Sequence, residues 1–128
     1  MTVQEKKSIL WRLGIAGGTA LVILGSLALR PVPIVAEVDC LEVTGTVTRI
    51  FEGGPFDVVF VLDGEDRMFY VNRGMQRGMD LGNLRATVIG EEVTLKYPDY
   101  WTPLDPMGST RHVSKVELGE TVLFDETL

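Results

Sequence analysis

Residues 13–29 run for 17 positions without a charged side chain and stop at Arg30-Pro31-Val32-Pro33. So apolar a stretch has to be buried in protein or placed in lipid, and its length separates the two. At 1.5 Å rise per residue it makes a helix of about 26 Å, and extending it back to Ile9 gives about 31 Å, against a hydrocarbon core of roughly 30 Å. Arg12 can snorkel to the headgroups, and Trp11 falls where an interfacial aromatic belongs. Pro31 and Pro33 prevent the helix from continuing. A cleaved signal peptide would have an apolar stretch of roughly 7–15 residues with a small-residue site close behind it. Here the nearest such site ends at Ala36, beyond Arg30, and Glu37-Val38-Asp39 ahead of Cys40 is acidic where a lipoprotein signal needs small apolar residues. Residues 9–30 are therefore expected to be an uncleaved transmembrane helix, with residues 1–8 as a cytoplasmic tail.

Charge gives the orientation. The net charge of −6 over 128 residues divides sharply. Residues 1–30 carry Lys6, Lys7, Arg12 and Arg30 against Glu5, a net of +3, whereas residues 31–128 carry 8 basic and 17 acidic groups, a net of −9. Positive flanks stay inside, so the expected location is a bacterial inner membrane crossed once, N-terminus cytoplasmic and residues 31–128 in the periplasm. A domain at −9 facing away from the cytoplasm is no nucleic-acid binder. The length excludes a multidomain enzyme, and the single cysteine, Cys40, excludes an intramolecular disulfide. Within the helix, Gly14 and Gly18 form a G-x-x-x-G pair with Gly25 further along. Small faces let membrane helices approach closely, so this face is a candidate for self-association or for packing on another membrane protein. Glycine is also simply frequent in membrane helices, and that plainer reading stands beside it.

Past a short proline-stiffened stalk, residues 31–39, the pattern changes to period two. Leu41, Val43, Gly45 and Val47 alternate with polar residues, predicting a half-buried strand, and the break in alternation at Ile50 and Phe51 predicts a bulge near Arg49. Glu52-Gly53-Gly54-Pro55 is a turn. Residues 58–62 read as a central strand, and Asp63-Gly64-Glu65-Asp66 turns it into a third strand at residues 68–72. Leu81, Leu84 and Val88 form the apolar stripe of a short helix, with Asp80 as N-cap and Gly90 as stop. Residues 93–97 are a fourth strand, a loop of about 14 residues follows, well above the hairpin norm, and residues 113–118 and 121–124 supply a fifth and a short sixth strand. Strands, a helix between the third and fourth, then more strands is the order of an OB-type fold. The expectation for residues 40–128 is a mainly β extracytoplasmic domain with one short helix, an OB-like small barrel of five to six strands behind one N-terminal transmembrane helix.

Chemistry-bearing residues are few. One histidine, His112, and one cysteine cannot make a zinc site of three or four ligands. No nucleophile elbow, phosphate loop, dinucleotide fingerprint or calcium loop occurs, so neither catalytic residues nor a metal or other cofactor are expected. Two segments stand apart. Phe69-Tyr70-Val71-Asn72-Arg73-Gly74 ends the third strand, and Tyr100-Trp101-Thr102-Pro103-Leu104-Asp105-Pro106 lies in the long loop, closed by Arg111 and His112. In OB-folds the first-to-second and fourth-to-fifth loops flank the usual binding face. Tyr70, Asn72, Arg73, Trp101, Asp105, Arg111 and His112 are thus the candidate ligand or partner surface. The plainer reading makes Trp101 a cap on the barrel end, since loop tryptophans often bury themselves.

These two segments, with Arg111-His112-Val113-Ser114-Lys115, resemble a family of small uncharacterised bacterial single-pass membrane proteins over roughly residues 42–126. The resemblance implies an OB-like extracytoplasmic domain and carries no activity with it. The architecture is also similar to that of the haem chaperone of cytochrome c maturation, but the histidine-containing C-terminal haem motif of that family is missing here. The expectation for function is a non-enzymatic, membrane-tethered binding or assembly module with a protein partner. A structural accessory subunit held by its glycine-faced helix is the alternative, and an enzyme or haem carrier ranks below both.

Overall fold

The computed structural model describes residues 2–128. Its first helix, α1 (Val3–Leu29), begins ahead of the apolar run because Thr2 caps it: the Thr2 hydroxyl accepts from Glu5 N at 3.2 Å and the Glu5 carboxylate accepts from Thr2 N at 2.7 Å. This reciprocal box satisfies two end amides and draws residues 3–8, predicted as a tail, into the helix. Pro31 ends it, and Arg30 is already extended. α1 buries none of its residues and is long and apolar enough to cross a membrane. Together with Thr102–Pro106 it forms one compact unit, while Val32–Trp101 and Met107–Leu128 form the other.

The second unit is built on a sheet. Its strands are β1 (Cys40–Glu52), β2 (Val58–Leu62), β3 (Met68–Val71), β4 (Glu92–Pro98), β5 (Thr110–His112), β6 (Lys115–Leu118) and β7 (Thr121–Asp125), with the helix α2 (Leu81–Thr87) between β3 and β4. Among the described residues the ladder runs β5-β3-β2-β1-β4-β6-β7, antiparallel throughout except for the parallel β3–β5 pair. β1 is long enough to serve two neighbours. Its first half, to Thr46, pairs with β4, and its second half, from Val47, pairs with β2. The register slips between Val47 and Arg49, the bulge expected from the sequence. The slip turns both Val47 and Ile50 into the core while Arg49 and Phe51 face outward.

The mainly β architecture and the short helix agree with expectation; strand count and closure differ. The ladder has seven strands and stays open, with β5 and β7 at its edges. Two features account for the strand count. Residues 110–112, assigned to the loop, form the short strand β5. The predicted fifth strand then breaks at Val113 and Ser114, where one amide turns to each side: Val113 N donates to Tyr70 O of β3 and Ser114 N to Lys96 O of β4, both at 2.8 Å. The β2–β3 hairpin and the Asp80 cap (accepting from Asn83 N at 2.7 Å) follow the sequence reading, while α2 already ends at Thr87 with Val88 as its cap, and Gly90 (φ 87°) lies in the turn that follows.

Alternation on β1–β4 and the α2 stripe feed one core. Phe60, Phe69, Leu95, Val58, Val71 and Val116 are wholly buried, and Leu84 of α2 and Val88, the residue that caps its C-terminus, pack into the same cluster. The segment before β1 is tied to this domain rather than left loose. Glu37–Asp39 forms a 3-10 turn, and Leu128 N donates to Val35 O at 3.1 Å.

Phe60 is fully enclosed. Phe60→Ala leaves a cavity and is expected to cost about 3–5 kcal/mol, read as a lower urea midpoint with an unchanged slope.

Candidate functional site

The outward side of β1, β2, β3 and β5 holds a groove of about 440 Å³. Phe51, Val59, Met68, Tyr70 and Thr110 line it, with Gly53, Gly54, Asp57 and Asn72 around its end. Each is there for a local reason. The β1 bulge sends Phe51 outward, where the Arg49 guanidinium lies 4.7 Å from its ring centroid. Met68 and Tyr70 are alternate residues of β3, and Thr110 pairs beside Met68 across the parallel ladder. Gly53 has to be glycine, because a Cβ there would stand 2.5 Å from Val59 Cγ2.

The β1–β2 turn at the groove's end is braced from the side. Arg73 N donates to Asp57 Oδ1 at 2.8 Å, and Met75 N to Phe56 O at 3.0 Å, so the turn is pinned to the 3-10 turn Gly74–Arg77. Two non-glycine residues there sit at positive φ, Phe56 at 64° and Arg73 at 51°, and Phe56 is exposed. Such backbone strain persists only where surrounding contacts over-determine it, and it clusters at ligand-contacting loops.

Behind Tyr70 a polar chain fixes its ring. His112 meets Tyr70 edge-on, with centroids 5.4 Å apart at 87°. His112 Nε2 lies 2.5 Å from Glu126 Oε1, and Arg77 Nη1 donates to Glu126 Oε2 at 2.8 Å. Arg77 in turn covers the Phe124 ring at 4.7 Å. The His112 and Glu126 side chains are nearly buried, so this chain links β5, the 3-10 turn and the C-terminal segment into one support.

The predicted surface is thereby divided. Tyr70 and Asn72 line the groove, and His112 supports it. Arg73 contributes its backbone amide, its side chain remaining exposed. Arg111 faces elsewhere: its guanidinium lies 5.7 Å from the Tyr97 ring, donates to Tyr100 O at 3.3 Å and fills the space left by Gly108. Asp105 belongs to the tight turn Thr102–Pro106, its amide donating to Thr102 O at 3.1 Å, and Trp101 stands exposed just before that turn. In α1, a Cβ at Gly14, Gly18 or Gly25 would meet nothing within 4 Å. The groove residues missed by sequence reasoning are Phe51, Val59, Met68, Thr110 and Asp57. The interruption of alternation at Phe51 was their one visible signal.

A second polar cluster lies where the chain enters β1. Lys96 and Lys115 are register partners across β4 and β6, and two adjacent ammonium groups require carboxylates. Glu37 Oε1 takes both, at 2.5 Å from Lys96 and 3.0 Å from Lys115, and Glu117 approaches Lys115 at 3.0 Å. Hydrogen bonds from Lys96 and then Lys115 hold the Glu37 carboxyl below its ordinary value, while those of Glu37 and then Glu117 raise Lys115. Burial pushes the neighbouring Cys40 thiol up, which keeps it protonated and a poor nucleophile.

A carboxyl whose value is depressed by folding stabilises the folded state above its unfolded value and loses that contribution as pH falls through the folded one. The unfolding midpoint is therefore expected to drop as pH falls below 4.5, the ordinary glutamate value. Glu37→Gln should lower the midpoint at neutral pH and shallow that acid dependence, followed by circular dichroism across a pH series. An unchanged acid limb would show that Glu37 is not held by the lysines.

Compared with family models, curated proteins and solved structures, the chain matches none, so the geometry of these residues carries the functional reading.

Proposed function

We propose that this chain is a membrane-anchored, non-enzymatic binding or assembly module, displayed on the periplasmic side of a bacterial inner membrane, with the Tyr70 groove as its contact surface. The observation that carries this reading is the braced groove itself: an apolar floor of Phe51, Val59, Met68 and Tyr70, an orienting backing from His112 and Glu126, and a strained turn at one end. Concave apolar surfaces with a few placed polar groups are where ligands and partner side chains dock. With Asp57 on the rim and a domain at −9, the fitting partner is a protein segment that offers an apolar side chain flanked by basic ones. The same charge disfavours nucleic acid.

The OB-like reading is supported by connectivity. β1 is shared by β2 and β4, β3 and β5 run parallel, and residues 110–118 act as one broken strand that reaches β3 through Val113 and β4 through Ser114. OB-folds are partly open barrels that bind on the strand 2–3 face beside the first loop, which is where the groove lies. The anchor and its orientation rest on α1 and on its N-terminal flank, where Lys6, Lys7 and Arg12 outnumber Glu5. The resemblance of the residues 69–74 and 101–106 segments to small bacterial single-pass proteins fits the same picture. A haem-carrier role fits poorly, because His112 is engaged by Glu126.

A structural accessory subunit held through α1 is the second reading, favoured by the open Gly14, Gly18 and Gly25 positions on a helix that buries none of its residues. Copurification from mildly solubilised membranes separates the two. Met68→Glu with Tyr70→Ala changes exposed or half-exposed positions and should shift stability by no more than about 1 kcal/mol, yet abolish partner capture if the groove binds. Gly14→Leu with Gly18→Leu should instead abolish it if the helix does. Wild-type chain recovered alone and monomeric would sink both readings.

A further inference from the structure

Trp101, Leu104 and Met107 recur every third residue in the β4–β5 loop and are exposed by 51%, 76% and 88%. Turn residues and prolines separate them, and Asp105 is the one charge between positions 100 and 110. A loop on a water-soluble surface has no reason to hold three large apolar side chains outward. Where this loop leaves the sheet is set by register: Pro98, the last residue of β4, pairs with Cys40, the first of β1. Cys40 lies only ten positions after Arg30, the residue that ends α1. The loop is thus rooted at the end of the sheet through which the chain arrives from its apolar helix.

We infer that Trp101, Leu104 and Met107 form a lipid-contacting tip that dips into the interfacial zone of the same bilayer that holds α1. The inference rests on the reading of α1 as a membrane anchor. Tryptophan suits the site because its ring is apolar while its N–H can stay in the headgroup layer, and Leu104 and Met107 supply the deeper apolar contact. Asp39, Glu42 and Asp99 lie around the root of the loop and Asp105 in its tip, so the fitting surface is zwitterionic rather than anionic. The tip would then be a second point of attachment to the bilayer besides α1.

The two tryptophans are independent reporters of the two attachments. The full-length chain is reconstituted into phosphatidylcholine vesicles with and without bromine on the upper acyl carbons, as Trp11→Phe (reporting Trp101) and as Trp101→Phe (reporting Trp11). The expected result is that Trp101 emits at shorter wavelength than in denaturant and loses most of its intensity to the brominated lipid. Adding Leu104→Glu and Met107→Glu should restore the Trp101 emission and leave Trp11 quenched, with circular dichroism confirming that the sheet is retained. Trp11 quenched with Trp101 unquenched overturns the lipid-contacting tip while leaving the anchor in place. Neither quenched overturns both. Trp101 quenching that persists undiminished in the double-glutamate variant also overturns the tip.

Discussion

Everything in the sheet domain depends on one strand having to satisfy two partners. β1 donates and accepts along its first half toward β4 and along its second half toward β2, and the two halves meet at the slip between Val47 and Arg49. A period-two strand puts every second residue on one face, so a single extra residue inverts the facing of all that follow. Without the slip, Phe51 would share the face of Val47 and enter the core, and Ile50 would point to solvent. With it, Ile50 completes the core and Phe51 becomes the wall of a groove. One irregularity thus closes the apolar cluster and creates the candidate site together.

Further supports radiate from that strand. At its N-terminal end, Lys96 and Lys115 gather Glu37 and Glu117, so that the chain arriving from α1 is clamped at the point where β1 begins. At its C-terminal end, the turn to β2 is pinned by Arg73 and Met75 backbone amides. The parallel β3–β5 pair then sets His112 beside Tyr70, and the C-terminal segment returns Glu126 to His112. Partly buried ion pairs of this kind add modest net stability, because desolvation offsets much of the attraction. Their larger effect here is geometric, since the pairs made by Glu37 and Glu126 tie together segments far apart in the chain.

Several elements were legible before the structure because their signals are local. The apolar run of residues 13–29, the Asp80 cap, the Leu84 and Val88 stripe, the hairpin around Gly64 and the bulge near Arg49 all depend on residues a few positions apart. Tyr70, Asn72 and His112 drew notice in the sequence because an aromatic, an amide and an imidazole near a strand end are conspicuous, and they lie in or beside the groove. Arg73 and Arg111 contribute no side chain to the groove's lining for an equally physical reason. Arg73 acts through its amide, which any residue type possesses, and Arg111 pairs beside Phe69, one strand position away from Tyr70, so the pleat carries it to the other face. The early start of α1 and the strand at residues 110–112 were also missed. The first is settled by a capping pair outside the apolar run, the second by a parallel partner about forty residues upstream.

Taken alone, the sequence determined what depends on composition and short-range order: an apolar helix long enough to cross a bilayer, a +3 segment over residues 1–30 against −9 over the rest, and a mainly β fold with one short helix. Tertiary structure alone decided which residues share a face and which strands lie at the edges. Pairing register joins positions tens of residues apart through backbone groups that are chemically identical at almost every position, so no residue announces its partner. Phe51 and Met68 look like ordinary strand hydrophobics in the sequence, and the slip in β1 with its pairing to β2 and β3 makes them the floor of a groove.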